Sequence, residues 1–158
     1  MSTRHFSHGF TTLMLLALCV AGTGAVEAQS LVPMDPVRCD GARVVVIQYR
    51  LIETEGVAVD ASGACSVTIS DSRIVAGSTA VMASGSARIE ITDSVLEGGR
   101  HAIHASGSAS VSYGGSSLTG AVHSSGLARL RDEGGNRVGT ADSTTTPRAS
   151  GPATGPVG

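Results

Sequence analysis

The chain has no lysine and no tryptophan: all 11 basic residues are arginines, set against 13 acids, for a formal net charge of −2. A nucleic acid or an anionic membrane calls for a basic face, so this balance argues against both as partners. Exclusive use of arginine points to a GC-rich genome, most simply a bacterial one. Aromatic rings are scarce as well. Phe6 and Phe10 lie close to the N-terminus, and beyond them only Tyr49 and Tyr113 carry a ring other than histidine. Sugar-binding faces usually rest on exposed rings, so this scarcity weakens a carbohydrate reading. No apolar run approaches the roughly 20 residues a membrane-spanning helix needs, and no membrane span is expected.

The two ends differ in composition from the middle. "MSTRHFSH" carries Arg4 and no acid, "FTTLMLLALCVAG" is a short apolar run, and "VEA" ends at Ala28 with small residues at the cleavage positions. Together they predict a secretory signal peptide over residues 1–28, and hence a secreted or periplasmic protein. Acylation at Cys19, in "LALC", is the weaker alternative, because Leu18 stands where a lipobox normally has Gly, Ala or Ser. At the other end, "GTADSTTTPRASGPATGPVG" over 139–158 has almost no large apolar side chain. Such a stretch cannot offset its chain entropy by burial, and a disordered tail is expected there.

What fills the middle is a repeat. "AVDASGACSVTISDSRIVAG" from Ala58 returns as "AVMASGSARIEITDSVLEGG" from Ala80 and as "AIHASGSASVSYGGSSLTG" from Ala102. Gly41, Gly63, Gly85 and Gly107 follow one another at intervals of 22, and Gly126 comes after 19. Apolar residues keep the same register in columns: Val45, Val67, Ile89, Val111; Ile47, Ile69, Ile91, Tyr113; Ile52, Ile74, Leu96, Leu118; and Val37, Val59, Val81, Ile103. Cys39, Ala61, Ala83 and Ala105 form a column of small residues. Within each copy apolar and polar residues alternate, which predicts strands with one buried face, and no copy has helical spacing. Self-similarity at a short fixed period means one unit stacked on copies of itself.

The expected fold is therefore all-β: a three-sheet parallel β-helix of about five short coils, over residues 41–138, with residues 29–40 as an N-terminal cap segment. Gly63, Gly85 and Gly107, with Asp71 and Asp93, are expected at its corners, the side chains of the corner Asp-Ser pairs bonding nearby backbone amides. A flat antiparallel sheet of hairpins is the competing fold. The pattern A-V-x-A-S-G-S-A-x-I-x-I-x-D-S-x-L-x-G resembles the right-handed parallel β-helix of pectin-lyase-like proteins over residues 36 to about 138. That resemblance implies a fold more than an activity, since the same scaffold carries lyases, hydrolases, adhesins and spacers.

Three constellations bear on chemistry. Cys39 and Cys65 occupy inward columns on either side of one corner, and an exported chain favours a disulfide between them, although their Cα separation looks close to the roughly 7 Å limit. His101, His104 and His123 crowd one outward stretch and are the candidate divalent-metal ligands, weakened by the expectation that stacked rings only face outward in parallel. Asp71 and Asp93 stack at one corner of successive coils, each followed by Ser, and Glu90 lies outward on the strand beside Arg88. Family enzymes that cleave acidic polysaccharides use clustered aspartates, and nothing here pairs two acids across a bond. The reading is an exported, non-catalytic structural or surface-interaction module without a cofactor, whose partner is an envelope protein or a polysaccharide. Its rivals are a degenerate carbohydrate-active or polysaccharide-binding β-helix and a metal-binding surface at the histidines.

Overall fold

The alternating segments form strands throughout the computed structural model, which describes residues 30–139. The expected signal peptide, Cys19 and the tail from residue 140 onward lie outside the described residues. Fourteen strands follow in order: β1 (Val32–Pro33), β2 (Val37–Cys39), β3 (Val44–Gln48), β4 (Arg50–Thr54), β5 (Val57–Ala61), β6 (Ser66–Ser70) and β7 (Arg73–Ala76). Then come β8 (Thr79–Ala83), β9 (Arg88–Thr92), β10 (Val95–Ala105), β11 (Ser110–Gly114), β12 (Ser117–Ser124), β13 (Arg129–Gly134) and β14 (Arg137–Gly139). The described residues contain no helix.

Every pairing is parallel, and partners in the middle coils are 22 residues apart, as in Ile52↔Ile74 and Val67↔Ile89. The chain is thus a β-solenoid of about five turns with three faces. The first face holds β1, β4, β7, the start of β10, the start of β12, and β14; the second holds β2, β5, β8 and the ends of β10 and β12; the third holds β3, β6, β9, β11 and β13. Because β10 and β12 round the corner between the first two faces without a break, hydrogen bonding joins those faces into one nine-stranded sheet beside a five-stranded one.

The inward residues stack into aliphatic ladders. Ile47, Ile69 and Ile91 have no solvent exposure, and neither do Ile52, Ile74, Leu96 and Leu118. Val67, Ile89 and Val111 are buried beside them, while Val37 and Val45, in the terminal turn, are only partly covered. No coil can bury its inner face alone, which is why the sequence repeats.

The corners are conformationally demanding. Gly41, Gly63, Gly85, Gly107 and Gly126 turn the chain between the second and third faces with φ between 67° and 71°. A side chain is excluded there for a second reason: a Cβ on Gly85 would stand 3.0 Å from the backbone nitrogen of Gly63 and 3.1 Å from its oxygen. Gly85→Ala is expected to cost about 1–2 kcal/mol from the left-handed backbone alone, more with the crowding. A thermal melt beside Gly56→Ala, whose Cβ would meet nothing within 4 Å, checks this.

Between the third and first faces the corner is a single left-handed residue, Tyr49 (φ 53°), Asp71 (49°), Asp93 (46°) and then Gly115 (63°). Within each expected Asp-Ser pair it is the serine side chain that bonds the backbone. The amides of Arg50, Ser72 and Ser94 donate to the hydroxyls of Ser72, Ser94 and Ser116 one coil on, at 3.1, 3.2 and 3.1 Å. Each hydroxyl in turn donates to the carbonyl two residues before it, on Ser70, Thr92 and Gly114. The ladder ends when Ser116 donates its amide to Asn136 Oδ1 at 2.9 Å. Buried hydroxyls are costly unless bonded, and these three are bonded on both sides.

The ends are closed unequally. Within the expected cap segment, β1 and β2 pair in register with β4 and β5 as part of the terminal turn. Pro33 within β1 and Pro36 ahead of β2 remove donors from two of its edges, whereas β3 has no proline, and its outward Val44 and Val46 are 75% and 65% exposed. At the far end the Ile47 column finishes on Asp132, paired to Tyr113. Asn136 donates to Asp132 Oδ1 and to the Tyr113 carbonyl, covering the last layer with polar bonds. Burial, then the Asp132 carboxylate, pushes the Tyr113 hydroxyl above its ordinary pKa. Gly139, read from the sequence as the start of the tail, ends β14.

Candidate functional site

Cys39 and Cys65 are joined, with Cα atoms 6.1 Å apart and both side chains fully buried. The separation falls inside the range a bridge spans, shorter than the sequence register suggested, because the Gly41 and Gly63 corners fold the two inward positions toward each other. The bond ties the terminal turn to the next one.

The histidines come together on the second face. His104 lies in register with Met82 on one side and His123 on the other, all three pointing outward from the buried ladders. His101 joins them through an irregularity: between β10 and β12 the register slips from 22 to 19 residues, with shifts on either side of His101, which pairs with Ala121. The slip falls where β12 turns at Gly120 (φ 109°), on which a Cβ would collide with the Gly98 carbonyl oxygen. Ring centroids stand 5.0 Å apart for His101 and His104, 5.4 Å for His104 and His123, and 6.0 Å for His101 and His123. The rings are mutually inclined by 36° to 66°, so the cluster is a triangle and not the parallel outward row expected from the columns.

Burial, the neighbouring His104 and His123, and Arg100 together hold His101 below the ordinary imidazole pKa. Among the described residues, no three His, Cys, Asp or Glu side chains are already arranged to hold a metal ion.

Asp71 and Asp93 occupy equivalent corners of successive coils, Glu53 and Glu55 line one groove, and Glu90 stands as a single acid in its row. Glu90 has Thr68 and Ser112 as its register neighbours on the third face, and Asp60 forms an ion pair with Arg38 at 3.5 Å. Glu97 pairs with Arg73 and Glu133 with Arg131. A shallow groove of about 590 Å³ runs beside the third face, lined by Ser86, Arg88, Ser108, Ser110, Leu127 and Arg129. The continuation of the serine column to Ser116, after Gly115, and a role for Met82 in the outward column below His104 escaped the sequence reading. Comparison with protein-family profiles, with curated proteins and with solved structures finds no match to this chain. Function is therefore read from the side chains themselves.

Proposed function

We propose that this chain is an exported β-solenoid, of the right-handed kind found in pectin-lyase-like proteins, that works as a non-catalytic structural or surface-interaction module in the periplasm or outside the cell. The observation that carries it is the division of labour across each strand: inward positions are filled by aliphatic ladders, while outward polar groups stand in single rows along flat faces. Glu90 between Thr68 and Ser112 is typical, with no second acid across from it. Acid–base cleavage of a sugar chain needs two groups facing one bond, and rows of this kind present one side to a partner instead.

A polysaccharide-binding reading is favoured by one specific feature, the groove in which Arg88 and Arg129 flank Ser110. Two guanidiniums two strands apart, with hydroxyls between, suit an acidic glycan.

The test has two arms. The full-length chain is expressed in a bacterium; a product beginning at Gln29 in the periplasm or medium is expected, and retention of the whole leader in the cytoplasm would refute export. The mature protein is then incubated with polyuronates and calcium. No release of unsaturated or reducing ends is expected, and any release abolished by Glu90→Gln overturns the non-catalytic reading. Salt-sensitive retention on the same polyuronates, lost in R88E/R129E, would decide for the glycan-binding version.

A further inference from the structure

The second face carries a donor set that the interaction-module reading leaves unused. We propose that His101, His104 and His123 form a surface site for a copper ion, with the Met82 thioether as a fourth, weaker donor. This goes beyond the proposed function and does not depend on it.

The size of the triangle is the first argument. A late transition ion holds imidazole nitrogens at about 2.0–2.1 Å, which puts each ring centre about 3.2 Å from the ion and, at tetrahedral angles, the ring centres about 5.2 Å from one another. The observed separations of 5.0, 5.4 and 6.0 Å bracket that spacing. The three ring centres thus already stand at about the right distances from one another. What remains is rotation about side-chain bonds, which brings one nitrogen of each ring toward the common centre. None of the three is locked in the packed interior; His101 and His104 are half-buried and His123 is exposed.

The chemistry of the donors is the second argument. The three rings around the centre offer nitrogen, and Met82, next to His104 in the outward column, is the nearest residue of that column to offer sulfur; it also lines a groove with Asp60 and Arg38. The one acid in the column, Asp60, lies two strands from His104 and is engaged by Arg38. Calcium and magnesium demand oxygen ligands and find none here. Imidazoles suit copper and zinc alike, and the thioether separates them, because a soft sulfur favours copper(I). Met82 is held in register beside His104, roughly 4.8 Å away along the sheet, by the parallel pairing of β8 and β10.

The third argument is how the cluster arises. A strict 22-residue register would leave the outward column as Asp60, Met82, His104 and then Gly126, a corner glycine. The loss of three residues in the last coil moves His123 into that column and draws Ala121, with its small side chain, opposite His101. Space and ligand are supplied by the same slip.

The test is a titration of the full mature chain with copper(II), and with copper(I) under ascorbate against a chromophoric copper(I) chelator. One equivalent is expected to bind in each state, with selective broadening of the three histidine C–H resonances on copper(II). H104Q/H123Q is expected to weaken binding at least tenfold, and M82L to weaken copper(I) by about tenfold while leaving copper(II) nearly unchanged. Circular dichroism of both variants verifies the fold; should H104Q/H123Q not fold, H101Q replaces it with the same expected loss. Binding no tighter in the wild type than in the histidine variant overturns the site. Zinc bound as tightly as copper(I), or copper(I) affinity untouched in M82L, overturns the assignment of copper and of the thioether.

Discussion

Ile69→Asp leaves the protein without a cooperative melting transition above about 25 °C. Ile69 has no solvent exposure and lies between Ile47 and Ile91 in the third-face ladder, so a carboxylate there has aliphatic neighbours above and below. Taking an ion into such surroundings costs several kcal/mol after relaxation, and losing the isoleucine forfeits about 1.5–3 kcal/mol more. A domain of this length has roughly 5–15 kcal/mol in total, and the lower half of that range is consumed. Far-UV circular dichroism with heating makes the measurement. Thr68→Asp, one position away and outward, is expected to shift stability by no more than about 0.5 kcal/mol, and Ile69→Val by about 0.5–1.5. A melt of Ile69→Asp within a few degrees of wild type would mean that the side chain is not enclosed, and the ladder description would fall with it.

The second large effect belongs to the disulfide. Its cysteines are 26 residues apart, and closing a loop of that length in the unfolded chain is worth about 3.5 kcal/mol. For a domain near 100 residues that corresponds to a fall in Tm of roughly 15–25 °C on reduction. Cys39→Ala/Cys65→Ala isolates the bridge from packing, because the same inward columns hold alanine elsewhere: Ala61, Ala83 and Ala105 in one, Ala87 and Ala109 in the other. The double variant should melt close to the reduced wild type. A Tm within about 3 °C of the oxidised wild type would show that the bridge constrains nothing that matters for stability.

The tube was legible in the sequence because its two periods are both short and strict. Alternation in "RIEIT" and "SVTIS" gives the strands, and the 22-residue return of Val67, Ile89 and Val111 gives the stacking. The glycine corner was equally plain, since Gly63, Gly85 and Gly107 need a backbone that other residues avoid. The opposite corner was only half legible. Asp71 and Asp93 do turn the chain with positive φ, but which side chain satisfies the buried amides depends on which one faces inward, and a left-handed residue reverses that for its successor. So the bond went to Ser72 and Ser94. The histidine triangle was least legible of all. His104 and His123 share a column by counting, yet the approach of His101 depends on a slip in pairing at the β10 corner, and a slip is a property of two strands together.

The stacked corner glycines carry one more consequence. Where Gly41, Gly63, Gly85 and Gly107 press backbone on backbone, an inserted or deleted residue has nowhere to go, and the register breaks for every layer beyond it. Length in such a molecule is therefore quantised: genetic duplication of one whole repeat adds a rung and about 4.8 Å of height, while smaller changes survive only near the tip, as the three missing residues of the final coil do. Evolution can make this object a longer or shorter ruler with the same graduations, and its outward markings stay evenly spaced for whatever is laid against them.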